Sequence, residues 1–164
     1  MSATPESLFT CLDRLGIVHS TVEHPPLFTV EAGREWRDRV PGLHCKNLFL
    51  KARDGKFFLA LMPGDKRATL GLVEKRLGCA RLSFGKPDTL MDIMGLTPGS
   101  VTPFGLLNDT ARRLTVLVDT DLAAAEMVNF HPLHNSASTT LRTADLTKFI
   151  RSLGYEPVIV NCGE

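Results

Sequence analysis

Hydrophobic and polar positions alternate with several different periods along this chain, and each change of period marks an expected element. Leu8, Leu12 and Leu15 form one helical stripe behind Thr4 and Pro5, and Gly16 stops it. This predicts a first helix with Thr4 as N-cap and Pro5 at the first helical position. A short strand is expected around Val18–Glu23, then a turn at His24-Pro25-Pro26, then a helix capped by Thr29 and running to about Trp36. Two apolar runs, HCKNLFLKA and KFFLALM, flank Arg53-Asp54-Gly55 and give the clearest hairpin signal in the chain. Helices are predicted from about Asp65 to Leu77, stopped by Gly78, and over Pro87–Met94, stopped by Gly95. The stretch Thr97–Pro103 is too rich in Gly and Pro to be regular. Arg113–Asp119, Met127–His131, Ala137–Arg142 and Glu156–Val160 read as strands, and Thr143 opens a helix that buries Leu146, Phe149, Ile150 and Leu153 before Gly154. Hairpins mixed with helical crossovers predict a mixed α/β fold, with a central, curved mixed sheet and surrounding helices.

Length and composition narrow the class without naming a function. The 164 residues, 43% hydrophobic and 23% charged, fit a single domain over 1–164 with an ordinary core. No apolar run reaches the roughly 20 residues of a membrane helix, and the N-terminus lacks the pattern of a signal peptide. The expected location is the cytoplasm. The four cysteines are scattered, with no CxxC pair, which argues against a disulfide framework and a thiolate zinc site. Net charge is +1, but residues 46–86 hold ten Lys/Arg against three Asp/Glu. That local excess suits a limited phosphate-binding face, whereas a solvated lysine-rich surface would have the same composition.

Few residues stand out chemically. Lys46 interrupts an apolar strand pattern, where an ammonium is costly to bury. It is either an edge lysine whose head reaches water or a cation at a pocket mouth, holding phosphate or a developing oxyanion. Asn47 follows it, and strand alternation points the two to opposite faces. They can share a site only if the strand bulges or the pocket wraps around the strand. His131 and His134 flank Pro132-Leu133. As zinc ligands they would need Cys45 or an acid, and Pro132 opposes the helix that such pairs ride on. His131 could instead bond substrate or move a proton, or simply be satisfied by backbone. Gly99-Ser100-Val101-Thr102-Pro103 is a G-x-x-x-P loop whose backbone could approach a ligand closely. No nucleophile elbow, phosphate loop or dinucleotide fingerprint is present, so an enzyme here would activate water or use a group of its substrate.

Taken in order, His24-Pro25-Pro26 with Thr29-Val30-Glu31-Ala32, His44 through Leu50, the Gly99–Pro103 loop, and Asn129-Phe130-His131-Pro132 with Asn135-Ser136-Ala137-Ser138-Thr139 resemble the YbaK/ProRS-associated editing family. Within it the chain looks most like the free-standing deacylase that clears alanine from proline tRNA. The resemblance implies hydrolysis of an aminoacyl ester at the tRNA acceptor end with no metal and no cofactor. It implies Lys46, Asn47 and His131 as the catalytic set, and Gly99, Ser100, Val101, Thr102 and Pro103, with Asn135 and Ala137, as the substrate-binding set. The expected partner is proline tRNA, with an association with prolyl-tRNA synthetase left open, as is the oligomeric state. Double-sieve editing makes chemical sense of this, because losing a methylene gives a synthetase only about 1–3 kcal/mol of discrimination. A non-catalytic tRNA-binding or regulatory module, a deacylase for Cys or Ser, and a small-molecule esterase remain as alternatives.

Overall fold

The computed structural model describes residues 2–26 and 36–164. The helix expected from Thr29, and the Thr29–Ala32 part of the motif, lie outside the described residues apart from a helical end at Trp36–Arg37. Helix α1 spans Pro5–Arg14, with Thr4 Oγ1 accepting from the Ser7 N–H at 3.1 Å and Ser7 Oγ accepting from the Thr4 N–H at 2.8 Å. This reciprocal cap satisfies donors that the first helical turn would otherwise leave open. Strand β1 (His19–Glu23) follows, and then the hairpin of β2 (Leu43–Ala52) and β3 (Phe57–Pro63), closed at Arg53-Asp54-Gly55.

Helix α2 covers Leu70–Leu77, five residues shorter at its start than the spacing predicts. Residues 65–69 are drawn elsewhere: Asp65 pairs with Arg37, Lys66 reaches Asp119, and Ala68 bridges to Gly163. Strand β4 (Leu82–Phe84), which the sequence pattern misses, pairs with the end of β2. Helix α3 covers Pro87–Met94 and ends where Gly95 turns left-handed at φ 66°. A Cβ at Gly95 would sit 3.0 Å from the Asn108 amide nitrogen, so the stop rests on both conformation and space. Short 3₁₀ turns at Pro98–Ser100 and Pro103–Asn108 lead to β5 (Leu114–Val118) and the one-turn helix α4 (Thr120–Ala123). Strands β6 (Met127–Phe130) and β7 (Ala137–Arg142), helix α5 (Thr143–Ser152) and strand β8 (Val158–Ile159) complete the order.

The eight strands form a mixed sheet in the order β1-β7-β6-β2-β3-β5-β8, with β4 beside β2. The expected mixed α/β fold is present. The main core joins Leu8 and Leu12 of α1, Leu90, Ile93 and Met94 of α3, and Leu146, Phe149 and Ile150 of α5 to Phe49, Leu59, Leu61, Val128 and Phe130. A second core places Val73 of α2 against Leu50, Phe58, Ala60, Met62 and Leu117. Strand β3 is therefore apolar at every position up to Met62, as expected of a strand covered on both faces. No described helix is long and apolar enough to cross a membrane.

Candidate functional site

The site is organised by a change of partners along β2. One edge of β2 pairs with β3 from Cys45 to Lys51. The opposite edge pairs in parallel with β6 at Leu43 and His44, and then antiparallel with β4 from Leu50 to Ala52. Between those two ladders, this edge of Cys45–Leu48 has no strand partner among the described residues. All four residues are half-buried there.

Alternation along β2 sends Leu43, Cys45 and Phe49 to the main core and Leu48 and Leu50 to the second. Asn47 thus points to the main-core side, and Lys46, opposite Met62, to the other. The two faces expected from the sequence are what the structure contains. Lys46 is half-buried and forms no ion pair with the described residues. Strands β2 and β6 share the pairs Leu43↔Val128 and His44↔Asn129, so Lys46 and His131 stand at corresponding positions two residues past the last pair.

Asn47 reaches the G-x-x-x-P loop. Its Nδ2 donates to the Val101 carbonyl at 3.0 Å, while its Oδ1 is buried without a hydrogen-bond partner among the described residues. Asn47 borders a cavity of about 260 Å³ with Phe49, Phe84, Pro98 and Val101 among its walls. A buried amide oxygen without a donor is costly, and it marks a place where a ligand N–H or O–H would be welcome. Gly99 is exposed and Ser100 half-buried on the 3₁₀ turn. Thr102 and Pro103 are buried instead, with Thr102 Oγ1 accepting the Phe104 N–H, so they support the loop from behind.

His131 starts the irregular link from β6 to β7. Its Nδ1 lies 3.0 Å from the Ala137 carbonyl, and burial lowers its pKa against that bond's opposing pull. Asn135 is half-buried on the same link, and Ala137 is buried at the start of β7. His134 turns to its own loop, where Nδ1 accepts the Ser136 N–H at 3.1 Å. Among the described residues no group of three or more His, Cys, Asp or Glu is arranged to hold a metal ion. The Cys45 thiol donates to the Leu43 carbonyl, and burial pushes its pKa up to about 12.

A second feature lies beside the first. Lys51, Arg53, Arg81 and Lys86 ring a cavity of about 550 Å³ with Ser83 and Thr89, and among the described residues no acidic side chain lines it. Phe84, 65% exposed, borders both cavities. The basic segment is therefore partly a real face. Lys66, counted in it, does not contribute: its ammonium is spent on Asp119, Asp121 and Asn161 at 2.7–3.1 Å. The sequence pattern picks out neither Arg81 nor Phe84, because both take their place from the unforeseen β4.

Comparison with known proteins places the chain in a family. The family model of the aminoacyl-tRNA editing domain covers residues 24–149. The chain is 34% identical over 152 residues to prolyl-tRNA synthetase associated domain-containing protein 1 of Danio rerio, covering 92% of this chain and 83% of that protein. It is 32% identical over 150 residues to the prolyl-tRNA editing protein ProX of Acetoanaerobium sticklandii, covering 91% and 92% respectively. A crystal structure described as that of a candidate trans-editing enzyme for prolyl tRNA synthetase shares the fold, with a TM-score of 0.76 over 100% of this chain and 99% of that one at 21% identity. By the span of the match and the identity of these relatives, the chain belongs to the aminoacyl-tRNA editing domain family.

Proposed function

We propose that this chain hydrolyses the ester that joins alanine to a wrongly charged proline tRNA, acting in trans and in the cytoplasm as one editing domain over residues 1–164. The observation that carries the reading is the end of the β2–β6 ladder, where Lys46 stands level with His131 and the next residue, Asn47, bonds to the Gly99–Pro103 loop at Val101. The relatives named for prolyl-tRNA editing and for association with prolyl-tRNA synthetase support the choice of tRNA, and make that synthetase the first partner to test. Water adds to the ester carbonyl, and free alanine leaves the terminal ribose. Lys46 steadies the carbonyl oxygen or terminal phosphate. Asn47 Oδ1 accepts a substrate N–H or O–H, and His131 positions the attacking water. Gly99, Ser100 and Val101, shaped by Thr102 and Pro103, hold the amino acid with Asn135 and Ala137. The neighbouring ribose hydroxyl assists attack, so the scheme uses no protein nucleophile and no metal.

Size selection is the decisive test. Proline is larger than alanine, and a packed wall rejects the larger group because protein interiors yield little to overpacking. Side-by-side deacylation of alanyl- and prolyl-tRNA on the same proline tRNA should show rapid loss of alanine and near-inertness of proline. Comparable rates would end the reading, since the enzyme would destroy the correct product.

The ring of Lys51, Arg53, Arg81 and Lys86 is the proposed footprint for the acceptor stem, with Phe84 available to stack. Four phosphate contacts predict that log affinity falls with log salt at a slope of roughly 3. Filter binding from low to high salt measures it. Replacing Arg81 and Lys86 together by glutamine should cut that slope by about half, and an unchanged slope would move the footprint elsewhere.

A further inference from the structure

We infer that His24 and Ser138 are positioning residues for His131, locking the turn whose Ala137 carbonyl holds the His131 ring with its proton on Nδ1 and leaves Nε2 as an acceptor. The inference rests on the proposed deacylase reading for its effect on rate, but not for its structural content.

His24 follows β1 and is tied to the β7 turn by both its backbone and its ring. Its N–H donates to the Ser136 carbonyl at 3.0 Å, and the register Val22↔Ser138 and Glu23↔Ala137 leads directly into that bond. The ring Nδ1 lies 2.9 Å from the Pro25 carbonyl, and Nε2 lies 2.9 Å from Ser138 Oγ. A carbonyl oxygen can only accept, so in the neutral ring Nδ1 carries the proton. Nε2 then accepts, and the Ser138 hydroxyl donates. Both side chains are buried, His24 at 6% and Ser138 at 6% exposure, so neither bond is readily replaced by water.

The same reasoning applies to His131. Its Nδ1 faces the Ala137 carbonyl at 3.0 Å, and its Nε2 has no hydrogen-bond partner among the described residues. Neutral imidazole in water favours the proton on Nε2, so the Ala137 carbonyl must select the other tautomer and hold it. That carbonyl sits between Ser136 and Ser138, the two residues that His24 grips. The His24 ring also packs edge-on against His131, with centroids 6.2 Å apart and planes at 62°, which limits rotation of the His131 ring. Loss of the grip frees the turn, the ring and the tautomer together. A histidine in the wrong tautomer offers a donor where the reaction needs an acceptor.

The test uses the full chain as wild type, Ser138→Ala, His24→Phe and Ser138→Thr. Long-range proton–nitrogen correlation spectra above pH 8 report the tautomer of His131, assigned by loss of its signals in His131→Gln. Deacylation of alanyl-tRNA gives kcat and KM. Wild type and Ser138→Thr, which keeps the hydroxyl, should show His131 protonated on Nδ1. Ser138→Ala and His24→Phe should show a mixture or the Nε2 form, with kcat reduced by about 10-fold or more and KM unchanged. A wild-type His131 protonated on Nε2 overturns the inference outright, even if every variant fails to fold. Folded Ser138→Ala and His24→Phe proteins that retain the Nδ1 form also overturn it. If no protein deacylates alanyl-tRNA, the functional reading fails while the spectra still decide the positioning role.

Discussion

Lys46→Ala is expected to slow deacylation of alanyl-tRNA by about 10²-fold or more while the protein stays folded. The basis is placement. Lys46 is half-buried in β2, has no ion pair among the described residues, and corresponds in position to His131 across the end of the β2–β6 ladder. A cation with no counter-charge among the described residues has its charge available for a substrate oxygen. Lys46→Arg should recover only part of the loss, because a planar guanidinium cannot occupy the space of a compact ammonium. Single-turnover rates with thermal melts of the same samples make the measurement. A folded Lys46→Ala protein that edits at the wild-type rate would reduce Lys46 to an edge lysine reaching for water.

The second large effect concerns stability. Asp119 is completely buried and binds the Lys66 ammonium at 2.9 and 3.1 Å, the Cys162 N–H at 2.8 Å and the Asp121 N–H at 2.8 Å. Lys66 also holds Asp121 at 2.8 Å and Asn161 Oδ1 at 2.7 Å, so one ammonium joins the end of β3, the end of β5 and the segment after β8. Asp119→Ala leaves that ammonium short of its buried counter-charge and should cost about 3–5 kcal/mol. In a chain of this size the melting temperature would then fall by roughly 10 °C. Burial alone would raise the Asp119 pKa, but the Cys162 N–H, Lys66 and the Asp121 N–H together hold it below the ordinary carboxylate value. A depressed carboxyl stabilises the fold above its unfolded pKa of about 3.9, and that stability drains away as pH falls through the lower folded value. Wild type should therefore lose stability below about pH 4 more steeply than Asp119→Ala. Urea midpoints across that range would show it, and parallel curves would put the acid sensitivity elsewhere.

How much of this was legible in the sequence depends on how local each signal is. The stripe Leu8–Leu12 with Thr4 and Pro5, the hairpin around Arg53-Asp54-Gly55, and Pro87–Met94 before Gly95 are specified by neighbours in the chain, and they fold as read. Strand β4 has three residues and exists because Leu50–Ala52 offer it a free edge, which no window of sequence displays. Residues 65–69 have helical spacing, yet their bonds to Arg37, Asp119 and Gly163 outweigh the first turn that a longer α2 would gain. The opposed faces of Lys46 and Asn47 followed from the period of a strand. The gap between two ladders beside them is set by where β6 ends and β4 begins, and that is a property of three strands at once. Arg81 and Phe84 enter the cationic cavity for the same reason.

The shielding of the Cys45 thiol also bears on endurance under oxidant. Burial holds its pKa near 12, so little of the reactive thiolate forms at neutral pH, although the residue adjoins Lys46. The thiols of Cys11, Cys79 and Cys162 are raised as well, each chiefly by burial. Peroxide attacks thiolates, so none of the four offers an easy first step toward a sulfenic acid.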